Sequence, residues 1–343
     1  MLRAITLSSS VLVAIIVSGC DNTAKVPLAD ATAVSNTETQ TIRIGYSDWP
    51  GWVAWQVAIE KGWLKDAGLA VEFKWFDYSA SMAAFTADQL DAITVSNGDS
   101  LLLASGGADG VMIMATDYSA GNDVIIAKSG INSISDLKGK TVALEKGLVD
   151  HLLLNAALED HQIDLNQTNL TNAVSNELPQ VLNSPDVSAI AVWQPVANQA
   201  LKAVAGTKVI YSSKDKPGLI YDTLTVKRSH LAQNPAQWQK IVQVWDKTVH
   251  YINDPATQDD ALKIMANRVG VEPQQYKHLM NGMHLLDVAA NNKVFGRAQG
   301  LDSIYGSSYH VNQFNLNQGI YQTAVDVDRH IDSTVLERIQ TQP

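Results

Sequence analysis

The sequence predicts an α/β protein of two lobes, each built around a parallel sheet. Three observations carry that expectation. From Thr41 onward, apolar runs of strand length alternate with stretches of helical periodicity. The chain has 343 residues, enough for two units of about 150 residues once a leader is set aside. Each apolar run also closes on polar residues, and those ends are where open parallel sheets bind ligands.

Ile42, Ile44 and Tyr46 lie on one face of a first strand, which the turn Asp48-Trp49-Pro50-Gly51 breaks. Residues 52–65 then carry Val53, Trp55, Ala58, Ile59 and Trp63 at near-helical spacing before Gly68 stops them. Val71, Phe73 and Trp75 alternate with Glu72 and Lys74 as a second strand, followed by a helix over 81–89. Residues 92–95 and 111–115 form two more strands, ending in Ser96-Asn97-Gly98-Asp99 and Thr116-Asp117-Tyr118. Residues 124–127 lead into a second unit, with strands at 141–144, 188–192 and 208–211 and helices at 150–159 and 177–182. Residues 219–226 return to the first unit, and 235–253, 256–268 and 273–283 read as helices with no strand between them.

The leader is legible as a secretion signal. Arg3 supplies a positive charge, and residues 12–17 supply an apolar run shorter than the about 20 residues a membrane span needs. Val17-Ser18-Gly19-Cys20 resembles a lipoprotein cleavage and acylation box, and Cys20 is the only cysteine, so residues 1–19 are expected to leave and Cys20 to carry lipid. Asp21 resembles a signal for retention at the inner membrane. Residues 20–40 lack aromatic side chains and read as a flexible tether. The rest has an ample core, at 46% hydrophobic and 17% charged residues overall, and a net charge of -10 argues against nucleic acid as a partner.

Four segments together resemble one family. They are residues 58–71 (AIEKGWLKDAGLAV), Asp91-Ala92-Ile93, residues 134–140 (ISDLKGK) and Ala191-Val192-Trp193-Gln194-Pro195. They match the periplasmic substrate-binding proteins of nitrate, sulfonate, taurine and bicarbonate ABC importers, with the related thiamine-precursor binders, over about 290 residues. The resemblance implies the two-lobed type II periplasmic-binding-protein fold, with two crossing strands and a ligand clamped between the lobes. The lobes are expected at 41–125 plus 223–343 and at 126–222, with hinges near 123–127 and 221–224. An ABC permease, a monomeric state and no cofactor or metal are implied with it.

The predicted strand ends carry an unexpected sign for an anion receptor. Asp48, Asp77, Asp99, Asp117, Glu145 and Asp222 lie at or beside them, Asn97 and Asp150 join the candidate site, and the nearest cation is Lys146. Trp49, Trp52 and Trp193 are the candidate aromatic contacts, whereas Trp55, Trp63 and Trp75 fall on apolar faces and are expected in the core. Carboxylates beside indoles suit a small nitrogenous cation or urea-like compound such as guanidine. Each acid has a structural alternative, since Asp48, Asp99 and Asp150 stand where helices begin and would serve as caps. Catalysis is the rival class, but the eight histidines form no zinc-hydrolase motif, and no nucleophile elbow or glycine-rich phosphate loop is present. A sensor domain sharing the clamp is the third class, which the lipid anchor disfavours.

Overall fold

The computed structural model describes residues 41–340, so the leader, Cys20 and most of the tether lie outside the described residues. The first sheet contains β1 (Ile42–Tyr46), β2 (Val71–Trp75), β3 (Ala92–Ser96), β4 (Gly110–Ser119), β10 (Tyr221–Lys227) and β11 (Met283–Leu285), in the order β11-β4-β10-β3-β1-β2. The second contains β5 (Asp123–Ala127), β6 (Thr141–Leu144), β7 (Asn169–Asn172), β8 (Ala189–Trp193) and β9 (Lys208–Ser212), in the order β7-β6-β8-β5-β9. Two lobes therefore form around two sheets, and the chain changes sheet between Ser119 and Asp123 and again between Ser212 and Tyr221.

Each sheet has a parallel core, and the strands that cross between the lobes run against it. β1, β2 and β3 pair in parallel, as do β6, β7 and β8, but β10 runs antiparallel to both β3 and β4, and β5 antiparallel to β8 and β9. A strand that returns from the other lobe enters from the opposite end, so β10 slots between β3 and β4 against their direction. Two strands were also missed. β7 is too polar and exposed to show a pattern, and β11 is a three-residue edge on β4 where a helix had been expected to continue. A further helix, Ile304–Asn317, packs its Ser307 and Ser308 against Asn97.

Residues 52–65 do not form one helix. Gly62 adopts a left-handed φ of 71° and divides the segment, leaving Pro50–Val53, Trp55–Glu60 and Trp63–Asp66. Trp55 is fully buried and its ring lies 4.8 Å from that of Trp245, on the long helix Pro235–Asn253 that closes the first lobe. Trp63 is half-buried. Trp75 departs from expectation: it sits on the edge strand β2, is 38% exposed, and is covered on one face by the Arg268 guanidinium at 4.1 Å. Edge position, which the local apolar pattern does not reveal, puts that ring outside.

The segments that change sheet are pinned from both sides. Ser119 and Ser213 hydroxyls meet at 2.7 Å, Gly121 donates its backbone N–H to Ser213 Oγ, and Asn122 donates to the Leu279 carbonyl. Gly282 allows the approach, because a Cβ there would stand 2.0 Å from Asn122 Oδ1. Trp245 also joins distant parts, donating its indole N–H to the Leu286 carbonyl beside β11 at 2.8 Å. Trp245→Ala is expected to cost about 3–5 kcal/mol of stability, read by denaturant unfolding; a loss below about 1 kcal/mol would mean that this contact does not hold the lobe together.

Candidate functional site

The ends of β1, β3, β4, β8 and β10 converge on one cleft. After β1, Pro50 starts a short helix and leaves Trp49 at its N-terminal boundary, where the indole N–H reaches Asp117 Oδ1 at 2.9 Å. Gly51 lies directly beneath that carboxylate. A Cβ at position 51 would stand 2.0 Å from Asp117 Oδ2, so glycine is what admits the acid. Tyr276 fixes the same turn from the C-terminal part of the chain by donating to the Pro50 carbonyl at 2.7 Å.

Two neighbouring spaces that share Tyr78 and Trp193 follow from this packing. The inner chamber is walled by Trp49, Trp52, Tyr78 and Trp193, with Asp123 and Asp222 as its acids, and measures only about 10 Å³, close to what a single water needs. Trp52 stacks on Tyr78 at 5.3 Å, and Trp193 meets Tyr78 edge-on at 5.3 Å. Tyr78 and Trp193 also line an outer vestibule of about 150 Å³, whose acids are Asp48, Asp77 and Glu145. Neither space has a Lys, Arg or His among its lining residues. Lys146 is exposed and belongs to neither lining.

The expected site residues thus separate into groups. Trp49, Trp52, Trp193 and Asp222 reach the chamber, and Asp48, Asp77 and Glu145 reach the vestibule. Asp117 stands behind Trp49, also held by the Thr116 hydroxyl at 3.0 Å. Asn97 and Asp99 are engaged by the protein itself: Asn97 donates to Ser307 and Ser308 and accepts from the Tyr221 N–H, and Asp99 accepts from the Tyr78 hydroxyl at 2.7 Å. Asp150 is fully buried beneath, and neither of its oxygens has a partner within the protein.

None of the acids acts as the cap that offered its structural alternative. Trp49 and Leu148 hold the boundary positions beside Asp48 and Asp150, and Ser96 caps the helix containing Asp99. Asp77 holds a boundary position without a side-chain cap bond. Tyr78 and Asp123 are among the chamber residues that the sequence reading did not assign to the site. Tyr78 follows Asp77 directly, and Asp123 had been assigned only to a hinge, although its cross-strand partner is Trp193.

Residues 49–258 match the family described as NMT1/THI5 like. The chain belongs to the NMT1/THI5-like family. A Brucella abortus protein named as a binding protein is 26% identical over 216 residues, which is 62% of this chain and 67% of that protein. Among solved structures, the periplasmic aliphatic sulphonate binding protein of Escherichia coli superposes with a TM-score of 0.71 at 17% identity, covering 87% of this chain and 99% of that one. A desulfurization enzyme superposes with a TM-score of 0.62 at 16% identity, covering 87% and 98%. The fold is accordingly the two-lobed one of periplasmic binding proteins.

In this NMT1/THI5-like chain the acids of the cleft are forced together by register. Asp222 of β10 and Asp117 of β4 are direct cross-strand partners, an arrangement that like charges disfavour. Burial first and the neighbouring Asp117 second hold the Asp222 carboxyl well above the usual range, which favours its protonated form. Burial pushes Asp117 and Asp48 up to about 6 and Asp99 and Asp123 up to about 7. Asp150 is raised well above the usual range by burial first and by Asp123, Glu145 and Asp99 second.

Raised carboxyls make the folded chain bind more protons than the unfolded one, whose aspartates titrate near about 3.9. The stability they contribute is complete below that value and is lost as pH rises through about 6 to 7. The melting temperature of the ligand-free full-length chain should therefore fall between pH 5 and 8. Asp222→Asn should recover roughly 1–2 °C at pH 8, equivalent to about 1 kcal/mol in a protein of this size. A melting temperature that rises over that interval, unaltered by the substitution, would show that the cluster does not carry this strain.

Proposed function

We propose that the chain is the extracytoplasmic solute receptor of an ABC importer, without catalytic activity, which closes on a small nitrogenous cation or urea-like compound such as guanidine and delivers it to the permease. The supporting observation is the pair of unpartnered carboxylate oxygens, Asp123 Oδ2 and Asp222 Oδ2, in a chamber walled by aromatic rings. As the lobes part, the one-water chamber widens to admit a flat guanidinium, which presents N–H donors in its plane to such carboxylates while its faces meet the rings. The face of an indole attracts a desolvated cation by up to about 2 kcal/mol.

The lobes of this receptor are 41–125 plus 223–343 and 126–222, turning about the two places where the chain changes sheet. A ligand that touches Trp49 and Asp222 beside the first sheet and Asp123 and Trp193 on the second favours closure by its differential affinity for the closed state. Cys20 anchors the mature protein as a monomer at the inner membrane, and no helix among the described residues is long and apolar enough to cross it. Nitrate, taurine or another sulfonate, bicarbonate and a thiamine pyrimidine precursor are the alternative ligands. An anion would add charge to a site that already holds carboxylates and offers no cationic side chain in return.

One observation favours the neutral, urea-like form of the ligand. The Trp52 indole N–H has no partner within the protein and would suit a carbonyl oxygen. The enzyme reading has less support, since the only hydroxyl nucleophile lining the chamber besides Tyr78 is Ser96, which caps a helix and has no histidine beside it in the lining.

A thermal-shift panel on the full-length chain in detergent tests the reading, using guanidine, methylguanidine, urea, taurine, nitrate, bicarbonate and a pyrimidine thiamine precursor. A true ligand at a hundred times its Kd adds about 2.7 kcal/mol of stability. Guanidinium compounds or urea should give that shift, and Asp123→Asn or Trp49→Ala should remove it. A shift with nitrate or taurine alone would keep the receptor and overturn the ligand.

A further inference from the structure

A groove of about 370 Å³ on lobe one shares no lining residue with the chamber or the vestibule. Its floor follows from the alternation of β2, an edge strand, which puts Val71, Phe73 and Trp75 on one face. Val71 and Phe73 line the groove with Ile59 and Leu69, and all of these but Leu69 stay partly exposed. Arg268 stands at the Trp75 end, where its guanidinium carbon lies 4.1 Å from the centre of the Trp75 ring and 5.5 Å from that of Tyr46. Lys65 adds a second positive charge to the lining. The groove thus reverses the sign of the cleft: it has two cationic side chains and no Asp or Glu among its lining residues, in a chain whose net charge is -10.

The charge on Arg268 is not answered from within. Arg43, Arg228 and Arg297 each pair with an aspartate, whereas Arg268 has no ion-pair partner among the described residues. Glu60, on the neighbouring helix, is taken up by Gln56, which donates to it at 3.0 Å. Stacking on two rings fixes the plane of the Arg268 guanidinium and leaves its N–H edge for an acceptor. We propose that this groove is a second binding site, separate from the cleft, for a medium-chain aliphatic carboxylate. Its head group takes the Arg268 fork, because a guanidinium already held by stacking loses less freedom than Lys65 on its flexible stem. The chain then covers Phe73 and Val71. From Trp75 back to Val71 the strand spans roughly 13 Å, the length of an extended chain of about ten carbons.

Calorimetric titration of the full-length chain in zwitterionic nanodiscs compares butyrate, hexanoate, octanoate and decanoate with the alcohols of the same length. Octanoate should bind about tenfold more tightly than octanol, and affinity should rise roughly twofold to fourfold per added methylene. Arg268→Gln, at an exposed position, should remove the preference for the carboxylate. Val71→Asp should abolish binding of both acid and alcohol, while the thermal shifts that guanidine, urea, taurine and nitrate give at the cleft stay as they are in the unaltered chain. Octanoate heats no larger than those of empty discs would overturn the proposal, as would equal affinity for acid and alcohol or octanoate binding that survives Val71→Asp. Self-association of the chain that Arg268→Gln abolishes would assign the groove to a second copy and overturn it as well.

Discussion

Five aspartates, Asp99, Asp117, Asp123, Asp150 and Asp222, are buried where the chain passes between its two sheets, and the architecture gives them no cationic side chain in the lining of the chamber. Topology makes this unavoidable. β4 leaves the first sheet and β10 re-enters beside it, so Asp117 and Asp222 stand opposite each other, while β5 begins the second sheet with Asp123. Removing charge from water without compensation is costly, and proteins respond by holding protons or by supplying an opposite charge. Protons are one compensation, favoured on Asp222 by its burial and by Asp117 beside it. A cationic or donor-rich solute is the other compensation.

The surrounding packing keeps these groups from relaxing away. Gly51 admits the Asp117 carboxylate, Trp49 holds it by a hydrogen bond, and Tyr276 fixes the turn from which Trp49 projects. Tyr78 serves both compartments: its ring stacks on Trp52 and meets Trp193, and its hydroxyl donates to Asp99. The same fold carries a sulphonate binding protein and a desulfurization enzyme. Architecture therefore does not choose the chemistry, and the sign and partners of the side chains at the strand ends must.

Much of this was legible before any coordinates. Apolar runs bounded by turn residues located β1 to β6 and β8 to β10 within a few residues, and the helix Pro235–Asn253 was delimited correctly because Pro235 opens it and Asp254-Pro255 closes it. What failed depended on position in the sheet and not on local pattern. β7 and β11 lie at sheet edges, and Trp75 alternates like a core residue yet faces outward from an edge strand. The mixed strand directions follow from how the chain returns, which periodicity along a single segment does not encode.

The site was legible in its sign and less so in its membership. Trp49, Trp52, Trp193 and Asp222 line the chamber as their places at strand ends suggested, but Asn97 and Asp99 bond to the protein. Tyr78 and Asp123 were missed because a tyrosine inside a helix and an acid at the start of a strand look ordinary until the lobes are assembled. The central claim is that a ligand's positive charge replaces protons on this carboxylate cluster. Calorimetry of guanidinium binding near pH 6.5 in two buffers of different ionisation enthalpy measures it directly. Net proton release on binding is the predicted result, and proton uptake on binding taurine or nitrate, with no response to guanidinium, would contradict it.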